Sequence, residues 1–315
     1  MSERRPSAEG VAAAAKRIAG MVTQTPLLPL VHDGRRYWVK PECLQQSGSF
    51  KLRGASNRLL QLSEAERARG VVAFSSGNHA QGVALAAQRL GIAATIVMPA
   101  DAPAVKVEGT RAAGAEIVFF DRATESREEI GARLAGERGA TLVPSFDDVD
   151  VIEGQGTIGV EIRARLGAAP PMVVIPCGGG GLSGGIALAL PESKIVAVEP
   201  EGWDDMTRSL ALRRIVPVEE PAPPTLCDAL QTKLVSPLTF GALRDAQARG
   251  LFVTEAEVEA AMRFAFRTLR IVAEPGGAVA LAALISEKVD APEGAVIVVS
   301  GGNVDPAVYA RILGR

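Results

Sequence analysis

A chain of 315 residues that is 47% hydrophobic and only 22% charged has enough apolar content for one large core or two medium ones. Its 34 basic and 36 acidic residues leave a net charge of −2, so nucleic acid and anionic membrane find no electrostatic footprint and a small soluble ligand fits better. The charged amino-terminal stretch lacks the apolar core of a signal peptide, and no apolar run reaches about 18 residues, so a cytoplasmic setting is expected. Cys43, Cys177 and Cys227 are odd in number, far apart and without CxxC or Cys/His spacing, which predicts free thiols rather than disulfides or structural zinc.

In chain order, the first chemistry-bearing stretch is Ser47-Gly48-Ser49-Phe50-Lys51-Leu52-Arg53-Gly54-Ala55, a small-residue loop turning into an amphipathic helix with Lys51 in its first turn. The positive end of the helix dipole helps an amine there stay neutral, as a nucleophilic lysine requires, although a lysine so placed also reads as a solvated surface residue. From residue 70 a βαβ rhythm follows: a strand at 71–74, a helix at 78–90, a strand at 94–99, a helix near 104–113, a strand at 115–120, a helix at 124–138 and a short run at 141–143. Ser75-Ser76-Gly77-Asn78-His79-Ala80-Gln81-Gly82 joins the first strand to its helix, where backbone N–H groups and the Ser75 hydroxyl converge on a place for a carboxylate; an ordinary capped turn reads the same way.

Farther on, a helix at 153–166 and the breakers Pro170 and Pro171 lead to a strand at 172–176 that opens a second sheet, with further strands in 194–200 and 295–303 and covering helices at 255–270 and 276–288. The prolines of 215–225 predict an extended connection. Gly178, Gly179, Gly180 and Gly181 lie between an apolar strand and an apolar helix, so their amides and the helix dipole suit a phosphate. No Lys-Ser/Thr follows, so this is not a Walker loop. Ser300-Gly301-Gly302-Asn303 ends the last strand, at the carboxyl edge where α/β sites form.

Taken in this order and spacing, SGSFKLRGA, SSGNHAQG, the tetraglycine run and SGGN resemble the β-family, or fold type II, of pyridoxal 5′-phosphate (PLP) enzymes, within it the serine/threonine dehydratases and serine racemases. The resemblance runs from about residue 20 to the carboxyl terminus. It implies an α/β fold of two lobes, each an open, mostly parallel sheet flanked by helices, divided as a small domain of 52–146 and a large PLP-binding domain of 1–51 and 147–315. It implies that Lys51 carries the cofactor as an imine, that the glycines at 178–181 hold its phosphate, that Ser300 faces the pyridine nitrogen and Asn78 the phenolic oxygen, and that Phe50 and Glu274, of Glu274-Pro275-Gly276-Gly277-Ala278, lie near the ring. The implied activity is elimination of the β-hydroxyl from L-serine, L-threonine or a related amino acid, giving a 2-oxo acid and ammonia. A neutral Ser300 hydroxyl favours elimination over a long-lived carbanion. Serine racemase, 3-hydroxyaspartate dehydratase and a β-replacement synthase are the alternatives.

By the same resemblance Ser76 faces Lys51 across the substrate and can return a proton, while Ser75, Gly77, Asn78, His79, Arg127 and Thr232 surround the substrate. Arg127 also reads as a solvated helix-face arginine. Ala229 stands where the family commonly has glycine, which narrows the space beside the cofactor. Glu199, the Trp203 carbonyl and Asp205 resemble a magnesium or calcium site, and an acidic turn is the plainer reading. A homodimer is implied.

Overall fold

The computed structural model describes residues 4–75, 77–102 and 104–314. After helix α1 (Ala8–Arg17), strands β1 (Leu28–His32) and β2 (Arg35–Pro41) form an antiparallel hairpin. Its turn is Asp33-Gly34, both at positive φ, which matches the twist of the paired strands. Helix α2 (Lys51–Leu60) then leads through α3 (Glu64–Arg69) into the four-stranded lobe. That lobe alternates β3 (Val71–Phe74), α4 (Asn78–Leu90), β4 (Ala94–Pro99), α5 (Ala104–Ala112), β5 (Glu116–Phe120), α6 (Arg127–Arg138) and β6 (Thr141–Leu142). Its strands are all parallel, in the order β5-β4-β3-β6.

Helix α7 (Val149–Leu166) returns the chain to the larger sheet. There β7 (Met172–Pro176), α8 (Gly181–Ala189), β8 (Lys194–Pro200), α9 (Asp205–Leu212), α10 (Pro237–Asp245) and β9 (Arg249–Val253) follow. The chain finishes with α11 (Glu255–Phe264), α12 (Pro275–Ile285), β10 (Val296–Val299) and α13 (Pro306–Leu313). The six strands run β1-β2-β10-β7-β8-β9, parallel except for the β1–β2 pair. Every residue of β7 and β10 is buried, as expected of central parallel strands covered on both faces.

Most elements fall where the sequence pattern puts them, and the departures have local causes. The helix expected at 153–166 starts at Val149, because Asp148 caps it by accepting from the Val151 N–H. The helix expected from 124 starts at Arg127, because Ser126 accepts from the Glu129 N–H. The segment 255–270 leaves α-geometry after Phe264 and ends in a π-helical turn, Ala265–Leu269. The hairpin β1–β2, the strand β9 and helices α1, α9 and α10 extend the larger unit beyond the elements read from sequence. No helix among the described residues is long and apolar enough to cross a membrane.

Helix α2 links the two sheets along the chain and packs on both α4 and α7. It crosses α7 so closely that a Cβ on Gly154 would lie 2.6 Å from the Gly54 Cα. Beneath it, the fully buried Arg53 guanidinium grips Glu42 with two bonds, of 2.7 and 2.8 Å, and Glu161 with two more, of 2.6 and 2.9 Å. Lys40 adds a 2.5 Å bond to Glu161. A cation without water is tolerated only when its donors are this fully used, so the cluster fixes the rotation of the helix that starts with Lys51.

Candidate active site

Main-chain hydrogen bonds bring three of the distant motifs together. The Phe50 N–H donates to the Ser300 carbonyl at 3.1 Å, and the Gly302 N–H to the Gly48 carbonyl at 2.9 Å. The Glu274 N–H donates to the Gly301 carbonyl at 3.0 Å. A Cβ at Gly301 would stand 2.0 Å from a Glu274 oxygen, so a side chain there would displace that carboxylate. Asn303 fastens the fourth motif, donating to the Ser47 carbonyl at 2.8 Å, Asn78 Oδ1 at 2.9 Å and Gln81 Oε1 at 3.0 Å.

These loops enclose a cavity of about 470 Å³ at the carboxyl ends of both sheets. Phe50, Lys51, Ser75, Gly77, Asn78 and His79 line it, as do Arg127, Thr232, Ser300 and all four glycines of 178–181. The Lys51 ammonium donates to the Ser145 carbonyl at 2.8 Å, and its Nζ lies 5.1 Å from the centre of the Phe50 ring. Loss of water around it lowers its pKa from the ordinary lysine value to about 8, so the neutral, nucleophilic amine is accessible near neutral pH.

Gly180 precedes α8 with φ +84°, a left-handed conformation that favours glycine. A Cβ on Gly179 would sit 2.4 Å from the Phe146 ring, and one on Gly181 3.1 Å from the Phe146 Cβ. Backbone amides at the start of an apolar helix, carrying no side chains of their own, form an anion cradle.

On the facing wall, the Gly77 N–H donates to the Ser75 hydroxyl at 3.1 Å as α4 begins. Asn78 and Glu274 are hydrogen-bonded through Asn78 Nδ2, while the other Glu274 oxygen is buried and finds no partner among the described residues. Burial is the main reason that the Glu274 carboxyl is pushed up to about 7, against the pull of Lys106 and the bond from Asn78. His79 turns away into the lobe with Nε2 2.9 Å from the Val143 carbonyl, and burial, then the Lys51 charge, lowers it to about 3, so its ring is neutral. It therefore offers a ligand its backbone N–H rather than a proton. Ser76, a sequence candidate, lies outside the described residues.

Arg127 caps the open side, 40% exposed, stacked on the Phe74 ring at 5.6 Å and donating to Glu128 at 2.8 Å. It lines the cavity and remains half in solvent, so both sequence readings describe part of its environment. The Thr232 hydroxyl is 3.2 Å from where a Gly178 Cβ would be, beside the glycine cradle.

Glu199 and Asp205 stand off the cavity wall, at β8 and the start of α9. Both are buried, and burial first, with the Asp205 charge second, raises Glu199 well above the usual carboxylate range. Glu199 accepts from the Met206 and Thr207 N–H groups at 3.0 and 2.7 Å and from the Thr207 hydroxyl at 2.6 Å. The Asp205 oxygens form no well-aligned hydrogen bond among the described residues; burial raises this carboxyl to about 7, with nearby backbone N–H groups offsetting only part of the cost. Trp203 donates its indole N–H to the Pro223 carbonyl at 2.8 Å.

The cavity fits pyridoxal phosphate by its donor set: an amine, a glycine cradle, the Ser300 hydroxyl and an orphaned Glu274 oxygen. Two wall residues, and a lysine behind the wall, went unnoticed in the sequence. Ser145 and Phe146 sit in the Pro-Ser-Phe-Asp-Asp link into α7, whose only signal is a breaker followed by a cap, and Lys106 looks like any helix-face lysine.

Comparison with known proteins adds three kinds of likeness. The family model described as "Pyridoxal-phosphate dependent enzyme" matches residues 18–301. An L-threo-3-hydroxyaspartate ammonia-lyase of Pseudomonas sp is 45% identical over 309 residues, covering 95% of this chain and 96% of that protein. An L-threonine ammonia-lyase of Thermotoga maritima is 42% identical over 286 residues, 90% of this chain and 71% of the relative. The solved structure of maize serine racemase aligns with a TM-score of 0.92 at 35% identity, covering 98% of this chain and 97% of that one.

Proposed function

The chain belongs to the pyridoxal-phosphate-dependent enzyme family, and from that premise we propose that it is an ammonia-lyase that eliminates the β-hydroxyl of L-serine, L-threonine or a close relative. The observation that carries this reading is the pairing of the desolvated Lys51 amine with the glycine cradle in one cavity. Bound there, pyridoxal phosphate supplies an electron sink conjugated to the substrate Cα.

The chain's own residues do the rest. With the cofactor bound, the amides of 178–181 would hold the phosphate, Ser300 would present a hydroxyl to the ring nitrogen, Asn78 would meet the phenolic oxygen, and Phe50 and Glu274 would lie near the ring. The Ser75 hydroxyl and the N–H groups at Gly77, Asn78 and His79 bind the substrate carboxylate at the positive end of α4. Lys51 moves the proton at Cα as general base. Loss of the β-hydroxyl and hydrolysis of the resulting enamine give the 2-oxo acid and ammonia. By the family resemblance, Ser76 returns a proton in a minor racemisation. In this reading 52–146 is a small domain working against the remainder, and the protein is a cytoplasmic homodimer.

One observation favours a narrower substrate. The Arg127 guanidinium at the cavity mouth, with Thr232 opposite, supports recognition of a second carboxylate and hence 3-hydroxyaspartate. Glu199, the Trp203 carbonyl and Asp205 hold magnesium or calcium, a role supported by the unpaired Asp205 oxygens.

Purified protein incubated with L-serine, L-threonine and L-threo-3-hydroxyaspartate tests the proposal by 2-oxo acid release. Visible absorbance of the bound cofactor and turnover of at least one substrate without an added nucleophile are expected. Absence of either sinks it.

A further inference from the structure

Lys106 takes no part in the chemistry above, yet it is one of the most deeply placed charges near the cavity. It lies in the first turn of α5, in the four-stranded lobe, and is 3% exposed. Its ammonium forms an ion pair with Asp228, a residue of the cavity wall 122 positions away in the chain. A buried ammonium is costly unless paired, so this contact holds its two segments at a set separation.

Each end of the pair touches a working surface. On one side, a Cβ at Gly77 would lie 3.1 Å from the Lys106 Nζ, which puts the lysine directly behind the turn that opens α4. On the other, Asp228 begins the tight turn Asp228–Leu230, and residues 228–232 form a stretch of cavity wall. Leu230 in that turn packs within 3.2 Å of the Cβ position of Gly178 and 3.1 Å of that of Gly276. One ammonium therefore links the substrate-binding turn of one lobe to a wall that rests on the glycine cradle of the other.

We propose that Lys106 is a positioning residue: through Asp228 it fixes the 228–232 wall relative to the Gly77 turn and so sets the room available to the substrate's β-substituent. This rests on the ammonia-lyase reading and deepens it. An ion pair that only stabilised the fold would leave the choice among substrates untouched.

The test uses the holoenzyme with Lys106→Met, Asp228→Asn, the two combined, and Lys106→Arg. Lys106→Met and Asp228→Asn are each expected to keep the cofactor absorbance and raise KM about tenfold with kcat changed less than about threefold. The ratio of kcat/KM between L-serine and L-threonine should move toward one. The double variant should be no worse than the poorer single, because the two residues act as one contact, and Lys106→Arg should restore most of the loss. Amide hydrogen exchange at 228–232 should quicken in Lys106→Met while that of α12 stays as in the wild type. Additive losses in the double variant, a fall in kcat at constant KM, or unchanged exchange at 228–232 would overturn the proposal. Wild-type protein without cofactor absorbance or 2-oxo acid release defeats the ammonia-lyase reading instead, and the exchange measurement still decides the role of Lys106.

Discussion

Where the cavity meets the six-stranded sheet its wall is main chain. The loops at 47–51, 274 and 300–303 are joined by backbone hydrogen bonds, the glycines of 178–181 present bare amides beside them, and a Cβ at Gly179 or Gly301 would collide with Phe146 or Glu274. Where it meets the four-stranded sheet, side chains do the work: Arg127 stacks on Phe74, Asn78 reaches Glu274 and Lys106 reaches Asp228. A wall of backbone is the same for every substrate and suits a cofactor that never changes. A wall of side chains is altered by one substitution, so the choice of substrate belongs there.

The sharpest way to break this division is to remove the amine that stands between the two walls. Lys51→Ala should lower turnover by about a thousandfold or more while the fold survives, since both proton transfer at Cα and the covalent hold on the cofactor are lost. Steady-state release of 2-oxo acid and the visible absorbance of the protein report both. A variant that keeps substantial turnover would move the chemistry to another group.

Next in size is a methyl group added to the backbone wall. Gly179→Ala places a Cβ 2.4 Å from the Phe146 ring carbons, including the one nearest the main chain, so the ring or the cradle has to shift. Cofactor affinity should fall about tenfold to a hundredfold, read by absorbance titration of the apoprotein, with the preference among substrates preserved. A change in preference at normal affinity would blur the two walls.

Titration of Lys51 gives a third measure. A protonated amine cannot attack an aldehyde, and Lys51 loses its proton near pH 8 because burial disfavours the charge. Capture of pyridoxal phosphate by the apoprotein should therefore quicken as pH rises toward about 8 and level off above it, as followed by stopped-flow absorbance. A rate that is flat below pH 8 contradicts a desolvated lysine as the point of attachment.

On the side-chain wall, Arg127→Ala should raise KM for L-threo-3-hydroxyaspartate about tenfold and leave that for L-serine within about twofold, because only the former carries a second carboxylate for the guanidinium. Equal effects on both substrates would reduce Arg127 to a residue of the cavity rim.

The same contrast explains what the sequence disclosed. Backbone sites announce themselves, because glycine runs after buried strands have few other uses, and so the loops at 47–51, 178–181 and 300–303 could be read directly. Among the described residues all four strands of the smaller sheet but only β7, β8 and β10 of the larger one were legible from β-branched runs; the half-buried β9 and the hairpin β1–β2 were not. The hairpin did carry a signal, the Asp33-Gly34 turn, which the search for alternating strands and helices passed over. Contacts of the other wall are made between residues far apart in the chain, as with Lys106 and Asp228, and no local pattern encodes them. Ser145 and Phe146 were missed for the same reason: their role comes from where α7 lands.

The effect expected to touch turnover least concerns a second place near the larger sheet where, among the described residues, a buried side chain is left unsatisfied. Glu199 spends its oxygens on the N-terminal turn of α9, whereas the buried carboxylate of Asp205 has no well-aligned donor among the described residues. An unpaired buried charge destabilises the fold, and a divalent cation shared by these carboxylates and the Trp203 carbonyl would reverse that cost. A cation at about a hundred times its Kd adds roughly 2.7 kcal/mol to the folded state. In a chain of this length that should raise the melting temperature by about 5 °C, and a chelator should take the gain away. Asp205→Asn removes the charge and the ligand together, so its melting temperature without metal should match or exceed that of the wild type and should no longer respond to magnesium or calcium. A wild-type protein indifferent to both ions and to chelator would leave Asp205 with a structural part only. A wild-type response that persists in Asp205→Asn would move the cation elsewhere.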